Sequence, residues 1–425
     1  MAESKTTTAA NMLGRMLAAL LAAWATHAAA GPTVHGHVKT QAEYLSAAAD
    51  SVQAFLGYRE AQAGNLDVRV STSAAKGHFG LDVDYLLQAA SGSVVELEQE
   101  REQLLPGLFV DRAATHWLPL DDTITGTHRT LATQSLDRFA FTYTSERWVF
   151  KLGRQAYSWG NGIVFRPFDL FDPFAPDAVD TSYKPGIDAI YSQRLFAGGG
   201  DLAVLAVPRR DPISGSLDGG QSSLAVKWHG FAKSIELNVL TARDYRDTVL
   251  GFGASGPLGQ AVWRLSVVPV RLDAGGVRTS LVANVEHAWQ WHDRNVSGFV
   301  ELFRNGFGRD DRDYTLTDLD ANLVVRLARG QVFDTGRNYS AVGLRVQWTP
   351  LLEVDPVLIL NVNDHSTLLF VQGSYSVAQN VALDFGLRSG AGGRGSEFGG
   401  LRPAAGSTIL EAPALRIFAR LAVYF

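Results

Sequence analysis

The densest gathering of chemically able side chains lies between Gly153 and Asp188. Arg166, Asp169, Asp172 and Lys184 fall there among Trp159, Phe165, Phe171 and Phe174, and Pro167, Pro173 and Pro185 stiffen the segment. Opposite charges on an ordered, aromatic-rich loop suit sorting of solutes by field and width, and no bond-breaking constellation is visible in them. Candidates for catalysis are confined to His229, His287 and His292, with Ser266 and Ser297 in the same part of the chain. Neither a Gly-x-Ser-x-Gly elbow nor a His-Glu-x-x-His helix accompanies them, so they read as structural and no catalytic residue is expected. A second loop, Arg304 to Asn338, holds Asp310, Asp311, Asp313, Asp318 and Asp320. Clustered carboxylates suit calcium, yet the regular acidic ladder of an EF-hand is missing, so a solvated acidic loop is expected, with no metal and no cofactor. Helical segments are expected at Glu96 to Gln103 and around Leu323 to Gly330.

The elements that would carry these loops are strands. Leu415, Ile417, Ala419, Leu421, Val423 and Phe425 alternate with Arg416, Phe418, Arg420, Ala422 and Tyr424, so the chain ends on a period of two and a terminal aromatic. The same split separates Val381, Leu383, Phe385 and Leu387 from Ala382, Asp384, Gly386 and Arg388, and Val342, Leu344, Val346 and Trp348 from Gly343, Arg345 and Gln347. It recurs at Leu224 to His229, Trp263 to Val267 and Leu281 to Glu286. Connections are by turns short and long. Tight turns are expected at Val377 to Asn380, Pro350 to Glu353, His292 to Arg294, Gly256 to Gly259, Gly230 to Ala232, Ala197 to Gly200, Ser145 to Glu146 and Ala75 to Gly77. Between them fall Ser389 to Ala412, Arg304 to Asn338, Pro208 to Gly220, Trp159 to Pro185 and Ser91 to Thr133. Helices able to cover so large a sheet are nearly absent, which leaves lipid as the partner of the apolar face. The fold class expected is therefore all-β: a transmembrane, antiparallel, up-and-down β-barrel of roughly eighteen strands, with sixteen as the alternative, periplasmic termini and long extracellular loops. A soluble sandwich or propeller also alternates, but no propeller-length repeat is visible.

Composition agrees with an exported membrane protein. In 425 residues there are 42 glycines, 9 tryptophans, no cysteine and a net charge of −5, an imbalance too small to suggest a nucleic-acid partner. No stretch of about 18 apolar residues follows the N-terminal region, which excludes helical spans. Lys5 and Arg15 precede the apolar run Met16 to Ala25, and Ala28, Ala29 and Ala30 offer a cleavage site before Gly31. Residues 1–30 thus read as a signal peptide and 31–425 as the barrel, with no room for a plug domain or passenger.

With this parity the inward face carries Arg138, Lys151, Gln155, Lys227, Glu236, Asn238, Arg264, Asn284, Glu286, Glu301, Arg345, Gln347, Asp384, Arg388, Arg416 and Arg420, an arginine excess. Arg166, Asp169, Asp172 and Lys184 are expected at a constriction formed by an inward-folded loop, the alternative being a loop that caps the rim. Arg154 breaks the scheme, since it shares parity with Trp148, Phe150 and Leu152; a bulge turning it inward is preferred over snorkelling. The run Gly153-Arg154-Gln155, followed by Trp159-Gly160-Asn161-Gly162, Phe165-Arg166-Pro167 and Asp172-Pro173-Phe174, resembles porin-like outer-membrane barrels, including alginate-export-type proteins. The likeness covers about a tenth of the chain and the terminal strand. It implies a passive channel for polar or anionic solutes in a Gram-negative outer membrane, touching lipid and lipopolysaccharide and engaging the barrel-assembly machinery through the strand ending at Phe425. The alternative is a closed barrel that binds or exports surface polysaccharide or lipid.

Overall fold

Alternation in the last strand becomes the seam of the fold. The computed structural model describes residues 33–104 and 111–425, so the expected signal peptide lies outside the described residues. In it β19 (Leu415–Tyr424) pairs antiparallel with β18 (Val381–Ala391) on one edge and with the first strand, β1 (Thr33–Ser46), on the other. Phe425 extends the seam: its carbonyl accepts from the Gly36 amide at 2.9 Å and its own amide donates back at 3.1 Å. A Cβ at Gly36 would meet the Phe425 ring at 2.7 Å, so glycine makes room for the terminal aromatic.

Between the two seam strands the chain runs up and down. The strands are β2 (Glu60–Lys76), β3 (Phe79–Gly92), β4 (Asp121–Gly126), β5 (Thr130–Thr144), β6 (Trp148–Gln155), β7 (Ile187–Leu195), β8 (Asp201–Val207), β9 (Ser223–Ala232) and β10 (Ile235–Asp244). They continue through β11 (Asp247–Leu258), β12 (Ala261–Arg271), β13 (Val277–Trp291), β14 (Arg294–Arg304), β15 (Asn338–Thr349), β16 (Leu352–Asn361) and β17 (Thr367–Ala378). Each strand pairs with its sequence neighbour except β4, which joins β5 alone, so eighteen strands close the barrel. The tight turns fall where alternation breaks. At His292 and Asp293 both φ angles are positive, 46° and 61°, the twist-matched geometry of a two-residue hairpin. The opposite end carries the long connections, with α1 (Val52–Phe55), α2 (Ser93–Leu104) and α3 (Ala321–Ala328) in them. No helix among the described residues is long and apolar enough to cross a membrane.

The outward face is an uncovered apolar belt. Trp148, Trp228, Trp289, Trp291 and Trp348 stand exposed toward the short-turn end, and Leu250, Phe252, Val300, Leu302, Val342 and Leu358 are exposed above them. The inward face is less polar than alternation suggests. In the long-loop half, Ala189, Leu205, Ala225, Leu240, Ala242, Val249, Val268 and Val270 on β7 to β12 form a buried cluster with Phe168, Phe171 and α3 residue Leu323. A second cluster joins Ala341, Ile359 and Leu368 to Phe165 and Phe398. Burying such side chains is worth roughly 1.5–3 kcal/mol each, enough to fix loops inside the barrel.

Arg154 follows neither expectation. The pairing of β6 with β5 and β7 runs through it without a register shift, and the irregularity lies on β5, at Asp137 between partners Asp84 and Tyr85. Its burial has another cause: above Gln155, where β6 ends, residues 120 to 126 take over the edge of β5. The guanidinium closes that junction, donating to Asp188 at 2.8 Å, to Asp121 at 2.8 Å and to the Leu118 carbonyl at 2.9 Å.

Candidate functional site

Residues 156–186, between β6 and β7, fold into the barrel and bind its wall at successive points. Near the start, the Asn284 amide on β13 donates to the Asn161 carbonyl at 3.3 Å. Glu301 on β14 then accepts from three consecutive backbone amides, Ile163 at 2.7 Å, Val164 at 2.9 Å and Phe165 at 2.8 Å, and from Asn284 Nδ2 at 2.8 Å. The Phe165 ring stacks on Phe303 with centroids 4.4 Å apart. Crossing back, Phe168 fills the space left by Gly251 on β11, where a Cβ would come within 2.8 Å of its ring.

The second limb reaches the opposite wall. Asp177 pairs with Arg388 on β18, and the Val179 carbonyl accepts from Gln372 on β17 at 3.0 Å. Asp180 sits between Lys39 on β1, at 2.6 Å, and Arg420 on β19, at 2.9 Å. Tyr183 lies under the Arg69 guanidinium at 4.5 Å, and the Gly186 amide donates to Asp137 at 2.9 Å. The two limbs are tied together by Lys184, whose ammonium meets the buried Asp169 carboxylate at 2.6 Å. Burial pushes the Asp169 carboxyl up and the Lys184 ammonium down in pKa, since each charge leaves water to meet the other.

Asp180 titrates differently. Burial pushes its carboxyl up, but Lys39 and Arg420 outweigh that and hold it down at about 2. Because the folded value lies below the ordinary aspartate value, this latch adds stability above about pH 4 and loses it as pH falls toward 2. Stability is therefore expected to be flat from pH 7 to 4 as far as this latch is concerned, and Asp180→Asn is expected to lower resistance to unfolding across that range. A fall in wild-type stability between pH 5 and 4 that Asp180→Asn abolishes would contradict this.

The inward residues named from sequence divide by use. Glu301, Arg388 and Arg420 hold the loop, and Asp384 accepts from Arg420 at 2.8 Å. Arg138 pairs with Asp137 at 2.6 Å, and Lys227 lies 5.8 Å over the Trp159 ring. Arg264 pairs with Glu286 at 2.8 Å, Arg345 with Asp355 at 3.0 Å, and Arg416 with Glu43 at 2.9 Å and with Glu98 of α2 at 2.8 Å. Glu236 accepts from Asn238 and Ser255, Gln155 is buried, and Lys151 is half-buried on β6. Arg166 stacks on Phe174, and Asp172 accepts from Arg112 at 3.3 Å. The arginine excess is thus largely neutralised by carboxylates, and Asp169, Lys184 and Glu301 are braces shielded from water. The acidic loop behaves likewise: Asp310, Asp311 and Asp313 pair with Arg337, Arg309 and Arg402.

Open space remains on both sides of the loop. A cavity of about 550 Å³ lies against β1 to β5, bounded by His37, Lys39, Asp67, Arg69, Arg112 and His116 on one side and by Phe174, Tyr183 and Pro185 of the loop on the other. A smaller one, about 240 Å³, adjoins Arg166, Glu286, Arg345, Asp355 and Gln372. The wall of the larger cavity was not singled out from sequence, although its signal is present: His37, Lys39 and Gln41 alternate with Val38, Thr40 and Ala42.

No described protein family matches the chain, and no curated protein is similar to it in sequence, so the alginate-export likeness rests on the Gly153-Arg154-Gln155 segment and its loop alone. Solved structures do share the fold. The outer-membrane protein Wzi, involved in group 1 capsule assembly in Escherichia coli and described as a carbohydrate-binding β-barrel, superposes with a TM-score of 0.53 at 11% identity, over 97% of this chain and 87% of its own. A BenF-like porin from Pseudomonas fluorescens Pf-5 gives 0.52 at 9% identity, over 93% and 98%. OccAB3 of Acinetobacter baumannii gives 0.51 at 10%, over 93% and 99%.

Proposed function

We propose that this chain is an outer-membrane channel through which small polar solutes, anionic ones included, diffuse past the loop of residues 156–186 along the β1–β5 wall. The observation that carries the reading is the cavity of about 550 Å³, with charged groups in its lining, left between that wall and a loop fastened to the rest of the barrel. Its lining carries His37, Lys39, Arg69 and Arg112, each beside a carboxylate such as Asp67, Asp137, Asp172 or Asp180, so the field is mixed and passage depends on width as much as charge. The uncovered belt of tryptophan, leucine and valine supports a lipid surround, the short turns being periplasmic and the long loops outside. Export would use residues 1–30 as a cleaved signal, and the assembly machinery would read the strand ending in Phe425. No catalytic step is assigned.

A closed barrel that binds surface polysaccharide is the second reading. The apolar clusters that fill the β7–β17 side of the lumen favour it, and one barrel that shares the fold, Wzi, is described as carbohydrate-binding. Planar-bilayer recording separates the two. The channel reading expects discrete steps from the wild type and larger ones after deletion of residues 159–180. A folded protein that inserts without steps, and conducts only after the deletion, would favour the closed barrel.

A further inference from the structure

The outward face holds few charges, and those at the long-loop rim of one arc share a sign. Arg243 on β10, Arg271 on β12 and Arg304 on β14 have the parity of the lipid-facing Val239, Leu265 and Leu302. All three are exposed, and none has a carboxylate partner among the described residues; Arg304 donates only to the Asn338 side chain, at 3.2 Å. This contrasts with the inward arginines, nearly all of which are paired. At the corresponding level of β15 to β19 the outward residues are Asn338, Leu360, Thr367, Ser389 and Leu415, so the positive arc is one-sided.

Height and spacing identify what such an arc meets. Each arginine stands about eight to ten residues along its strand, which at ~3.3 Å per residue and a ~40° tilt puts it roughly 20–25 Å above the short-turn end. That is the upper edge of an apolar band about 25 Å tall, the level of outer-leaflet headgroups. Arg243 and Arg271 share the register of Thr248 between them, which places them two strand spacings, about 10 Å, apart. Above Arg304 a pocket of about 590 Å³ opens, lined also by Arg278, Arg309 and Arg337, with Asp318 and Asp320. Those three arginines have partners in Asp320, Asp311 and Asp310, which leaves Arg304 as the unpaired cation at its mouth. An uncompensated arginine row needs anions with fixed oxygens, and phosphate is the group whose geometry suits guanidinium.

We propose that the β10–β14 arc binds the phosphorylated sugar headgroup of an outer-leaflet glycolipid, its phosphates on Arg243, Arg271 and Arg304 and a sugar in the pocket above Arg304. The inference rests on the outer-membrane reading but not on conduction. Its test is native mass spectrometry of the full folded barrel in neutral detergent, titrated with bisphosphorylated lipid A, dephosphorylated lipid A or phosphatidylglycerol. Bisphosphorylated lipid A is expected to bind, the dephosphorylated form and phosphatidylglycerol at least about tenfold more weakly. The triple variant Arg243→Gln, Arg271→Gln, Arg304→Gln is expected to lose at least about tenfold in lipid A affinity while keeping wild-type conductance and resistance to unfolding. Unchanged affinity in the variant, or equal binding of phosphatidylglycerol, would overturn the proposal. Failure of the membrane reading would show separately, as a barrel that stays folded and dispersed without detergent.

Discussion

Glu301→Ala is expected to raise single-channel conductance about twofold or more, because it unfastens the inner loop at its strongest point. The carboxylate is fully buried, has no cation within ion-pair distance among the described residues, and spends its charge on three backbone amides and one side-chain amide. Hydrogen bonds to a charged group are worth roughly 1.5–3 kcal/mol each, and alanine also strands three donors. The first limb keeps only the Asn161 carbonyl on Asn284 and the packing of Phe165 and Phe168, while Asp177, Val179, Asp180, Tyr183 and Gly186 anchor the second limb, so the first limb is expected to loosen from the wall. Glu301→Gln keeps one acceptor oxygen and is expected to fall between. Glu286→Ala is the control: that carboxylate pairs with Arg264 on the wall and does not hold the loop. A folded Glu301→Ala barrel with wild-type step size would show that the loop is held elsewhere.

The second large effect is on stability. Arg154→Ala leaves the Asp188 carboxylate, 1% exposed, without its cation and removes both bonds to Asp121. Breaking a buried pair by removing one partner costs about 3–5 kcal/mol, against at most about 1 kcal/mol for an exposed pair such as Arg345 with Glu353. Arg154→Lys is not expected to rescue, since a single ammonium cannot span Asp188, Asp121 and the Leu118 carbonyl. Urea titration of the refolded protein in micelles measures this, and a loss below about 1 kcal/mol would contradict the assigned junction role.

Much of the barrel was legible because one physical rule repeats. Val381 to Arg388 and Val342 to Trp348 alternate cleanly, and the turns at Pro350, His292 and Ala197 interrupt them where the hairpins fall. Both helices expected in loops are present, as α2 and α3. The inner apolar clusters were less legible, since Leu202 to Val207, Val267 to Val270 and Val357 to Leu360 read as continuous apolar runs. Such runs mark strands covered on both faces, here by the loop inside and, in the reading proposed above, by lipid outside. The latches were illegible for a different reason. Glu301 meets backbone amides 136 to 138 residues away, and backbone amides leave no trace in residue type. Arg154 was recognised as exceptional, but β4 and the segment before it, which bury it, carry no alternation strong enough to announce themselves.

The path along the β1–β5 wall is open to one direct measurement, made clean by the absence of cysteine from the chain. Asp67→Cys places a thiol on the wall of the larger cavity, and Val70→Cys places one on the exposed outer face of the same strand. A charged, water-soluble thiol reagent added during bilayer recording is predicted to cut the current through Asp67→Cys and to leave Val70→Cys unchanged. Current that is unaffected at Asp67→Cys, or blocked at Val70→Cys, would contradict the account.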